Sequence, residues 1–259
     1  MSWQRALVTG ASTGIGREAA KQLAKRGVSL VLVARDGERL EQLASEVLVP
    51  VEIIVADLTQ PVDLERVANR LEDHDAPIDL LVNNAGKGAG ERFVEADIEE
   101  LASVVSLNVV ALQRLAHAAA GAMAKRGYGA ILNVSSVAGF WAGPGSVTYS
   151  ATKAFVTNFS RSLRLEMAAR NVSVTALCPG LTRTEFQDRA DINVDGVPAF
   201  LWQNADVVVA AGLTALENNK PVVVSGRINR VAVAGLTLLS ALPGSIVDRV
   251  VTLIYRNRD

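Results

Sequence analysis

The sequence predicts a doubly wound α/β fold, in which a seven-stranded parallel sheet is flanked by helices on both faces. Short apolar segments rich in β-branched residues alternate with longer segments of helical periodicity. The apolar segments show no strict two-residue alternation, which is typical of parallel strands covered on both faces. No linker, repeat or charge block divides the 259 residues. We therefore expect a single domain over residues 1–259, with right-handed crossovers between its strands.

Each predicted strand is a short apolar run, and most of the runs precede a helical pattern. We expect strands at residues 5–9, 30–34, 51–55, 80–83, 129–135, 172–177 and 222–224. We expect helices at residues 14–26, 38–47, 62–72, 98–125, 149–170 and 206–216. Two segments do not fit the alternation: a mobile substrate loop with short helical turns is expected at 185–205, and a hydrophobic C-terminal extension at 228–259.

Composition narrows the classes of function. The 26 basic and 27 acidic residues nearly cancel, so the chain offers no electrostatic footprint for nucleic acid or an anionic membrane. The single cysteine, Cys178, cannot form an intrachain disulfide, and we interpret it as an inert buried thiol in a reducing compartment. The sequence shows no export signal, and its longest apolar stretch is too short for a bilayer. We expect a cytoplasmic protein without a transmembrane segment.

A glycine-rich turn follows the first predicted strand and opens the first predicted helix. Residues 9–16 read T-G-A-S-T-G-I-G. The glycines allow a tight turn that lets bare backbone approach a pyrophosphate, and the helix N-terminus supplies unpaired N–H groups. A turn without a ligand is the alternative. At this βα junction we expect a dinucleotide, contacted by Gly10, Ser12, Thr13, Gly14, Ile15 and Gly16.

The residues after the second predicted strand indicate which dinucleotide is favoured. In such sites an acidic residue binds the ribose 2′-hydroxyl, whereas a nearby arginine accommodates a 2′-phosphate. Here Ala34 ends the strand and Arg35 follows it. A 2′-phosphate would gain a bidentate cation and meet no repulsion, so NADP(H) is favoured. Asp36 leaves NAD(H) open, because a small shift of the loop could bring its carboxylate to the ribose.

Tyr149 and Lys153 are four residues apart in a predicted helix, so they share one face. Carbonyl reduction needs a proton donor for the oxygen as hydride reaches the carbon, and alcohol oxidation needs the reverse. A free phenol, with a pKa of about 10, is a poor base near neutrality. A nearby ammonium and a positively charged nicotinamide can lower that pKa. We therefore predict an acid–base pair, with a surface tyrosine and a solvated lysine as the alternative.

Further polar residues are predicted near the same sheet edge. Ser136 follows the fifth predicted strand, where its hydroxyl can donate to a substrate carbonyl; Ser135 competes for that role. Asn83 and Asn84 follow the fourth strand, where their amides can hold the scaffold or line a cofactor pocket. Asn108 lies in an otherwise apolar helix and needs partners. It either ties the helix to a neighbouring strand or holds a proton-relaying water, and the two interpretations are compatible.

These motifs together resemble the short-chain dehydrogenase/reductase family, whose members have a Rossmann-type fold. The matches are Thr9-Gly10-x-x-x-Gly14-Ile15-Gly16, Asn83-Asn84-Ala85-Gly86, Asn108, Ser136, Tyr149-x-x-x-Lys153, and Pro179-Gly180 followed by Thr184. They occur in the family's order and approximate spacing over residues 5 to about 185. The length resembles the short form of the family.

The resemblance implies a catalytic tetrad. In it Tyr149 is the acid/base, Ser136 polarises the carbonyl, Lys153 lowers the pKa of Tyr149 and binds the nicotinamide ribose, and Asn108 holds a relay water. The resemblance implies further cofactor contacts from Asp57, Leu58, Asn84, Ala85, Gly86, Tyr149, Lys153, Pro179, Gly180, Thr182 and Thr184. No metal ion is expected.

The segment after the last strand departs from the family pattern. Residues 222–230 read V-V-V-S-G-R-I-N-R, where many relatives carry an Asp-Gly pair. In the extension that follows, one apolar stripe is formed by Ile246, Val247, Val250, Leu253 and Ile254. Packing on the domain or on a partner subunit is the favoured interpretation. A lid over a lipophilic substrate and peripheral membrane contact are alternatives.

The expected function is NADP(H)-dependent interconversion of a ketone and a secondary alcohol in a homodimer or homotetramer. The substrate is expected to be lipophilic, because residues 139–141, Phe186, Phe200 and Trp202 offer apolar surface around the predicted pocket. Arg183 is a candidate partner for an anionic substrate. Two other functions stay open: a regulator that senses nucleotides without turnover, and an epimerase or dehydratase that keeps the cofactor.

Overall fold

One parallel sheet organises the computed structural model, which describes residues 3–89, 92–142, 145–190, 194 and 196–240. Its seven strands lie in the order β3-β2-β1-β4-β5-β6-β7. They are β1 Arg5–Thr9, β2 Ser29–Ala34, β3 Val51–Val55, β4 Leu80–Asn83, β5 Gly129–Val134, β6 Val172–Cys178 and β7 Val222–Val224. All neighbouring strands pair in parallel. The predicted Rossmann-type sheet is confirmed, with each predicted strand end within one residue of the observed one.

The helices occupy both faces of the sheet. They are α1 Gly14–Lys25, α2 Gly37–Ser45, α3 Pro61–Glu72, α4 Ile98–Val105, α5 Leu112–Arg126, α6 Val147–Met167, α7 Phe186–Arg189, α8 Ala205–Glu217 and α9 Arg227–Ser240. Residues Ser106–Ala111 form a π-helical turn inside the helix that was predicted as continuous over 98–125. In the predicted substrate loop, α7 and a 3-10 turn at Ala199–Leu201 are the expected short helical turns. The stripe from Ile246 to Ile254 lies outside the described residues.

The sheet separates two apolar cores, and alternate residues of each inner strand enter one or the other. In β1, for example, Val8 packs on one side with Leu23 of α1, and Leu7 packs on the other with Leu115 of α5. Both faces of the inner strands are therefore buried, which explains their continuous apolar sequences. Strand order reverses between β1 and β4, and the carboxyl ends of the strands meet along one edge. That edge is where ligands bind in open α/β sheets.

One helix in the described part of the chain, Ile98–Arg126, is long and apolar enough to cross a membrane by length and composition alone. Its residues Leu115 and Met123 are nevertheless fully buried in the second core, where they pack with Ile131 of β5. A core helix of a sheet protein passes the same test. The finding is therefore weak evidence for a membrane span.

Candidate active site

The glycine-rich turn between β1 and α1 has the backbone geometry that its sequence predicts. Gly10 and Gly14 have φ values of 64° and 53°, a region that disfavours residues with a side chain. A Cβ atom on Gly16 would overlap the carbonyl oxygen of Gly10. The N-cap residue Thr13 makes no side-chain capping bond, so its hydroxyl does not occupy the first N–H groups of α1. The turn therefore exposes helix N–H groups in the way that binding of an anion requires.

Asn84 braces this turn from the end of β4. Its Nδ2 donates to the carbonyl oxygens of Thr9, at 2.9 Å, and Gly10, at 3.3 Å. In return the Thr9 hydroxyl oxygen accepts from the backbone N–H groups of Asn84 and Ala85, both at 2.9 Å. Asn83 is tied to the other side of the strand, where its Nδ2 donates to the Leu112 carbonyl at 2.9 Å. The amides of Asn83 and Asn84 thus hold the scaffold. The sequence gives no indication of this role of Thr9 beyond its position before Gly10.

The end of β2 presents a guanidinium group that has no direct ionic partner among the described residues. Arg35 is exposed and forms no hydrogen bond or ion pair within the described ranges. Asp36 is engaged elsewhere, because its carboxylate caps α2 by accepting from Arg39 N at 3.1 Å and pairs with the Arg39 side chain at 3.3 Å. The Asp36 carboxylate, which left NAD(H) open as the cofactor, is therefore directed at α2.

Asp57 lies after β3, near the same cation. Burial opposes ionisation of its carboxyl, but hydrogen bonds from Thr59 and the charges of Arg35 and Lys87 outweigh that cost and hold its pKa below the usual range. Thr59 donates to Asp57 Oδ1 from its backbone N–H at 3.0 Å and from its hydroxyl at 2.7 Å. The carboxylate is thus fixed at the sheet edge. Leu58 is buried in the second core and can offer only its backbone.

Tyr149, Lys153 and Ser136 come together at the end of β5. The Lys153 Nζ lies 5.7 Å from the centroid of the Tyr149 ring and donates to the Val134 carbonyl oxygen at 3.0 Å. The Tyr149 hydroxyl forms a hydrogen bond with the Ser136 hydroxyl. Ser136 is also the N-cap of a short 3-10 turn, where its Oγ accepts from Ala138 N at 3.1 Å. The two hydroxyl groups therefore lie together, and the ammonium group lies near the Tyr149 ring.

Burial dominates the protonation of this pair. It raises the pKa of Tyr149 to about 12, against a smaller lowering by the hydrogen bond with Ser136. It lowers the pKa of Lys153 to about 8, against a smaller raising by the charge of Cys178. The family resemblance implies the opposite shift for Tyr149. In the chain alone desolvation of the phenolate outweighs the hydrogen bond with Ser136, so the phenol keeps its proton at neutral pH.

Ser135 and Ser136 have different contacts, which distinguishes their roles. Its hydroxyl is buried, donates to the Lys153 carbonyl at 2.7 Å and lies 2.7 Å from the Thr157 hydroxyl. It therefore packs β5 against α6 and does not face Tyr149. Cys178 is close to the same group, 3.8 Å from the Thr157 hydroxyl, and burial raises the pKa of its thiol to about 11. An inert thiol is what the sequence predicts.

Asn108 lies in the π-helical turn and faces the loop after β4. Its Oδ1 accepts from Lys87 N at 2.9 Å, and its Nδ2 donates to Lys87 O at 2.9 Å and to the Thr152 hydroxyl at 3.1 Å. It ties its helix to a loop and to α6, which is close to the first of the two interpretations. The π turn inserts one extra residue, a device common at functional sites and invisible in the apolar pattern.

Gly86 leaves a gap beside these groups. A Cβ atom at this position would lie 3.1 Å from Asn108 Oδ1 and 3.4 Å from Lys153 Nζ. A side chain would therefore fill the space next to the buried lysine. Because Gly86 has no side chain, a ligand can approach its backbone closely, as expected for the end of β4.

The loop after β6 folds back toward the phosphate turn. The Pro179 carbonyl accepts from Val137 N at 2.9 Å, and the Thr182 hydroxyl donates to the Gly180 carbonyl at 3.0 Å. The side chain of Thr184 lies 3.1 Å from the position that a Cβ on Gly14 would occupy. The predicted carboxamide-holding segment and the phosphate turn are thus in contact. Three other predicted residues, Ser12, Ile15 and Ala85, are buried or half-buried in the same region.

An aromatic ring covers the candidate acid. Phe186, in α7, lies 5.6 Å from the Tyr149 ring, and it is 3.2 Å from the position of a Cβ on Gly88. The other aromatic residues of the predicted pocket are placed differently: Phe200 is 71% exposed, and Trp202 lies under the guanidinium of Arg183 at 5.8 Å. The apolar wall next to Tyr149 is therefore assigned to Phe186.

Comparisons with known proteins agree with this geometry. A model of the family described as short chain dehydrogenase matches residues 4–194. A short-chain dehydrogenase from Sphingobium yanoikuyae, solved in complex with NADPH, is 40% identical with a TM-score of 0.81 over 92% of this chain and 96% of that one. The bulky-bulky ketone specific alcohol dehydrogenase from Comamonas testosteroni is 36% identical, with a TM-score of 0.78 over 94% and 96%. Sulfoacetaldehyde reductase 2 from Chromohalobacter salexigens is 38% identical over 184 residues, 70% of this chain and 73% of that protein.

The fold, the site and these similarities define an NAD(P)-dependent oxidoreductase. The chain belongs to the short chain dehydrogenase family, because the family model covers far more than half of its length.

Proposed function

We propose that the protein interconverts a lipophilic ketone and a secondary alcohol by hydride transfer with NADP(H). The observation that carries the proposal is the convergence of the Tyr149 and Ser136 hydroxyls beside the buried Lys153. A single carbonyl oxygen can accept from both hydroxyls at the point where they meet. That arrangement supplies what carbonyl reduction needs from a protein, a positioned proton and a donor to the developing alkoxide.

The residues at the sheet edge fit a phosphorylated dinucleotide. The turn of Gly10 and Gly14 offers helix N–H groups to a pyrophosphate, and the gap at Gly86 leaves room beside Lys153. The unpaired guanidinium of Arg35 suits a 2′-phosphate better than a 2′-hydroxyl, because it can form bidentate, charged hydrogen bonds only with the phosphate. The NADPH in the Sphingobium yanoikuyae dehydrogenase supports this choice.

Each member of the tetrad has a distinct part in the proposed reduction. The nicotinamide supplies the hydride when the cofactor is bound. Ser136 donates a hydrogen bond to the substrate carbonyl oxygen and so polarises it. Tyr149 transfers its hydroxyl proton to the same oxygen as negative charge develops there. Lys153 lies next to the phenolate that remains and stabilises it electrostatically, while Asn108 fixes the loop that borders the site.

The raised pKa of Tyr149 favours this direction of the reaction. A phenol with a pKa of about 12 is protonated at neutral pH and is ready to act as an acid. Alcohol oxidation requires the phenolate, which forms at neutral pH only where a further positive charge lowers the pKa. We therefore propose that Tyr149 acts as the acid when the enzyme works in the direction of reduction.

The apolar wall favours a lipophilic substrate. The Phe186 ring lies against Tyr149, so a group attached to the carbonyl carbon would contact an aromatic face. The specificity of the Comamonas testosteroni dehydrogenase for bulky-bulky ketones supports this class of substrate. Phe186 belongs to α7, in the loop whose predicted role is substrate binding.

A panel of carbonyl compounds tests the proposal. NADPH oxidation is followed with aryl alkyl ketones, long-chain ketones and small polar aldehydes, and the alcohol product is quantified against the NADPH consumed. We expect one alcohol for each NADPH, with the best turnover for bulky apolar ketones. Turnover of small polar aldehydes alone would reject the lipophilic substrate. Product without net NADPH consumption would identify an epimerase or dehydratase, and tight NADPH binding without any turnover would identify a nucleotide sensor.

We also propose that the protein is a homo-oligomer. Apolar side chains on the helix that contains the π turn remain exposed, namely Ile98 at 66%, Val105 at 40% and Val110 at 54%. A second copy would bury this surface. Sedimentation velocity at micromolar concentration tests the proposal, because a single species with the mass of one chain would exclude it.

A further inference from the structure

An exposed group of three charged side chains links the adenosine side of the candidate site to the phosphate turn. Glu185, which directly follows Thr184, accepts from Arg39 Nη1 with both carboxylate oxygens, at 3.0 and 2.8 Å. The same carboxylate accepts from Arg189 Nη2 at 2.6 Å. Two guanidinium groups from different parts of the chain therefore share one carboxylate.

The two arginines lie where a dinucleotide has its phosphates. Arg39 is in the first turn of α2, one turn beyond Arg35 at the end of β2. Arg189 Nη1 reaches the hydroxyl of Thr13 at 3.4 Å, which is the N-cap of α1 in the phosphate turn. The contact of Thr184 with Gly14 holds Glu185 close to that turn. The carboxylate thus lies between the two places that the proposed function assigns to cofactor phosphates.

The exposure of these groups makes the arrangement replaceable. The side chains of Arg39, Glu185 and Arg189 are 41%, 49% and 51% exposed. Exposed ion pairs of this kind are weak, because solvent screens the two charges. A phosphate carries more charge than a carboxylate and accepts the same bidentate hydrogen bonds from arginine, so it can take the place of Glu185.

We propose that Arg39 and Arg189 are cofactor-binding residues, and that Glu185 is an internal anion that holds them until a phosphate takes its place. Arg39 then binds the 2′-phosphate together with Arg35, whereas Arg189 binds the pyrophosphate near Thr13. The inference rests on the proposed use of NADP(H), and it adds an anion that competes with the cofactor. It assigns to Glu185 an unfavourable effect on cofactor affinity.

Equilibrium titrations of nicotinamide fluorescence with NADPH and NADH separate the three roles. Glu185→Gln removes the competing charge and should lower the dissociation constant for NADPH by about fivefold, the value of one or two exposed ion pairs. The dissociation constant for NADH should fall by less. Arg39→Gln should weaken NADPH and spare NADH, because only NADPH has the 2′-phosphate. Arg189→Gln should weaken both cofactors to the same extent, since both contain the pyrophosphate.

Glu65→Gln is the matched control. Glu65 accepts from Arg114 Nη2 with both oxygens, at 3.0 and 2.9 Å, in an exposed pair between α3 and α5. Its loss should leave both dissociation constants unchanged. Unchanged or weaker NADPH binding by Glu185→Gln would overturn the inference, because Glu185 would then be neutral or a support for the arginines. Failure of the unmodified protein to bind NADPH would instead refute the proposed function itself.

Discussion

The ammonium of Lys153 lies over the ring of Tyr149, 5.7 Å from its centroid, and is anchored to the Val134 carbonyl oxygen at the end of β5. The two residues are one turn apart on α6, so the helix fixes their separation. Burial shifts both groups toward their neutral forms, raising the pKa of Tyr149 and lowering that of Lys153. The lysine still has its proton at neutral pH, and so does the phenol. A protonated phenol is what the proposed reduction requires of Tyr149.

Tyr149→Phe should lower turnover by at least about 100-fold, the usual contribution of a general acid. The dissociation constant for NADPH should change by less than about twofold, because the lost hydroxyl faces Ser136 and the substrate position. Stopped-flow absorbance of NADPH and fluorescence titration measure the two quantities. Retention of most of the turnover would refute the assignment of Tyr149.

Ser136→Ala and Ser135→Ala should affect different properties. Ser136 forms a hydrogen bond with Tyr149, so its loss should lower kcat by about 100-fold, beyond the stability cost of the lost cap at Ala138 N. Ser135 bonds with α6 through Lys153 O and Thr157, so its loss should cost about 1 kcal/mol of unfolding free energy. Turnover and urea denaturation are measured for both variants. The reverse pattern would exchange the two roles.

Lys153→Met should raise the free energy of unfolding at pH 7 while removing activity. Burial lowers the pKa of Lys153 to about 8 in the folded chain, whereas an unfolded lysine titrates near 10.5. Below pH 8 the folded state carries the full cost of a buried ammonium, at most about 3 kcal/mol. The lost hydrogen bond to Val134 O offsets part of the gain.

The pH dependence of that difference has a definite sign. From about pH 8 to about pH 10 the unfolded chain binds more protons than the folded chain, so the stability of the unmodified protein rises with pH. Its deficit relative to Lys153→Met should therefore shrink over this range. Urea unfolding at several pH values measures it, with Lys125→Met, on the exposed end of α5, as control. A constant or growing deficit would contradict the lowered pKa of Lys153.

The sheet could be predicted almost completely from the sequence because its strands are continuous apolar runs between polar turns. The observed bounds of β1, β3, β4 and β7 equal the predicted ones. The π turn at Ser106–Ala111 could not be predicted, because one inserted residue leaves no mark in a sequence that is apolar at almost every position. The predicted helix was therefore continuous where the structure places Asn108 in a local distortion.

The residues of the candidate site could be proposed from the sequence, but their contacts with one another could not. Ser135 and Ser136 both follow β5, and only the observed direction of each side chain separates packing from contact with Tyr149. The bond between Arg39 and Glu185 joins residues 146 positions apart, for which the sequence contains no signal. The direction of the Tyr149 pKa shift could not be predicted from the sequence either, because it depends on how far the phenol is desolvated.

Arg35→Ala should weaken NADPH far more than NADH. The guanidinium is exposed and unpaired among the described residues, so its removal leaves the fold intact. A hydrogen bond to a charged group contributes about 1.5–3 kcal/mol, which corresponds to a roughly 10- to 150-fold loss of NADPH affinity. NADH, which has no 2′-phosphate, should bind about as before. Equal losses for both cofactors in isothermal titration would place the 2′-phosphate elsewhere.

Asn229→Ala should loosen the loop that carries Thr182 and Thr184. The Asn229 side chain fills the space above Gly180, where a Cβ atom would overlap its amide. Its Nδ2 also donates to the Ser225 carbonyl at 2.9 Å, which fixes the side chain at the start of α9. The contact with Gly180 therefore joins α9 to the loop after β6. The variant should lose about 1 kcal/mol of stability. It should also bind both NADPH and NADH more weakly if the loop borders their shared nicotinamide end, as the family resemblance implies.

Asn218→Ala is a suitable control for this substitution. Asn218 is exposed at the end of α8, and its Nδ2 donates to the Thr214 carbonyl at 2.8 Å, away from the loop. Its loss should reduce stability by a similar amount without changing cofactor affinity. Thermal unfolding and cofactor titration of both variants separate loop positioning from general stability. Equal cofactor affinity in the two variants would show that α9 does not position the loop, whereas weaker binding only in Asn229→Ala would assign that role to the helix that follows the last strand.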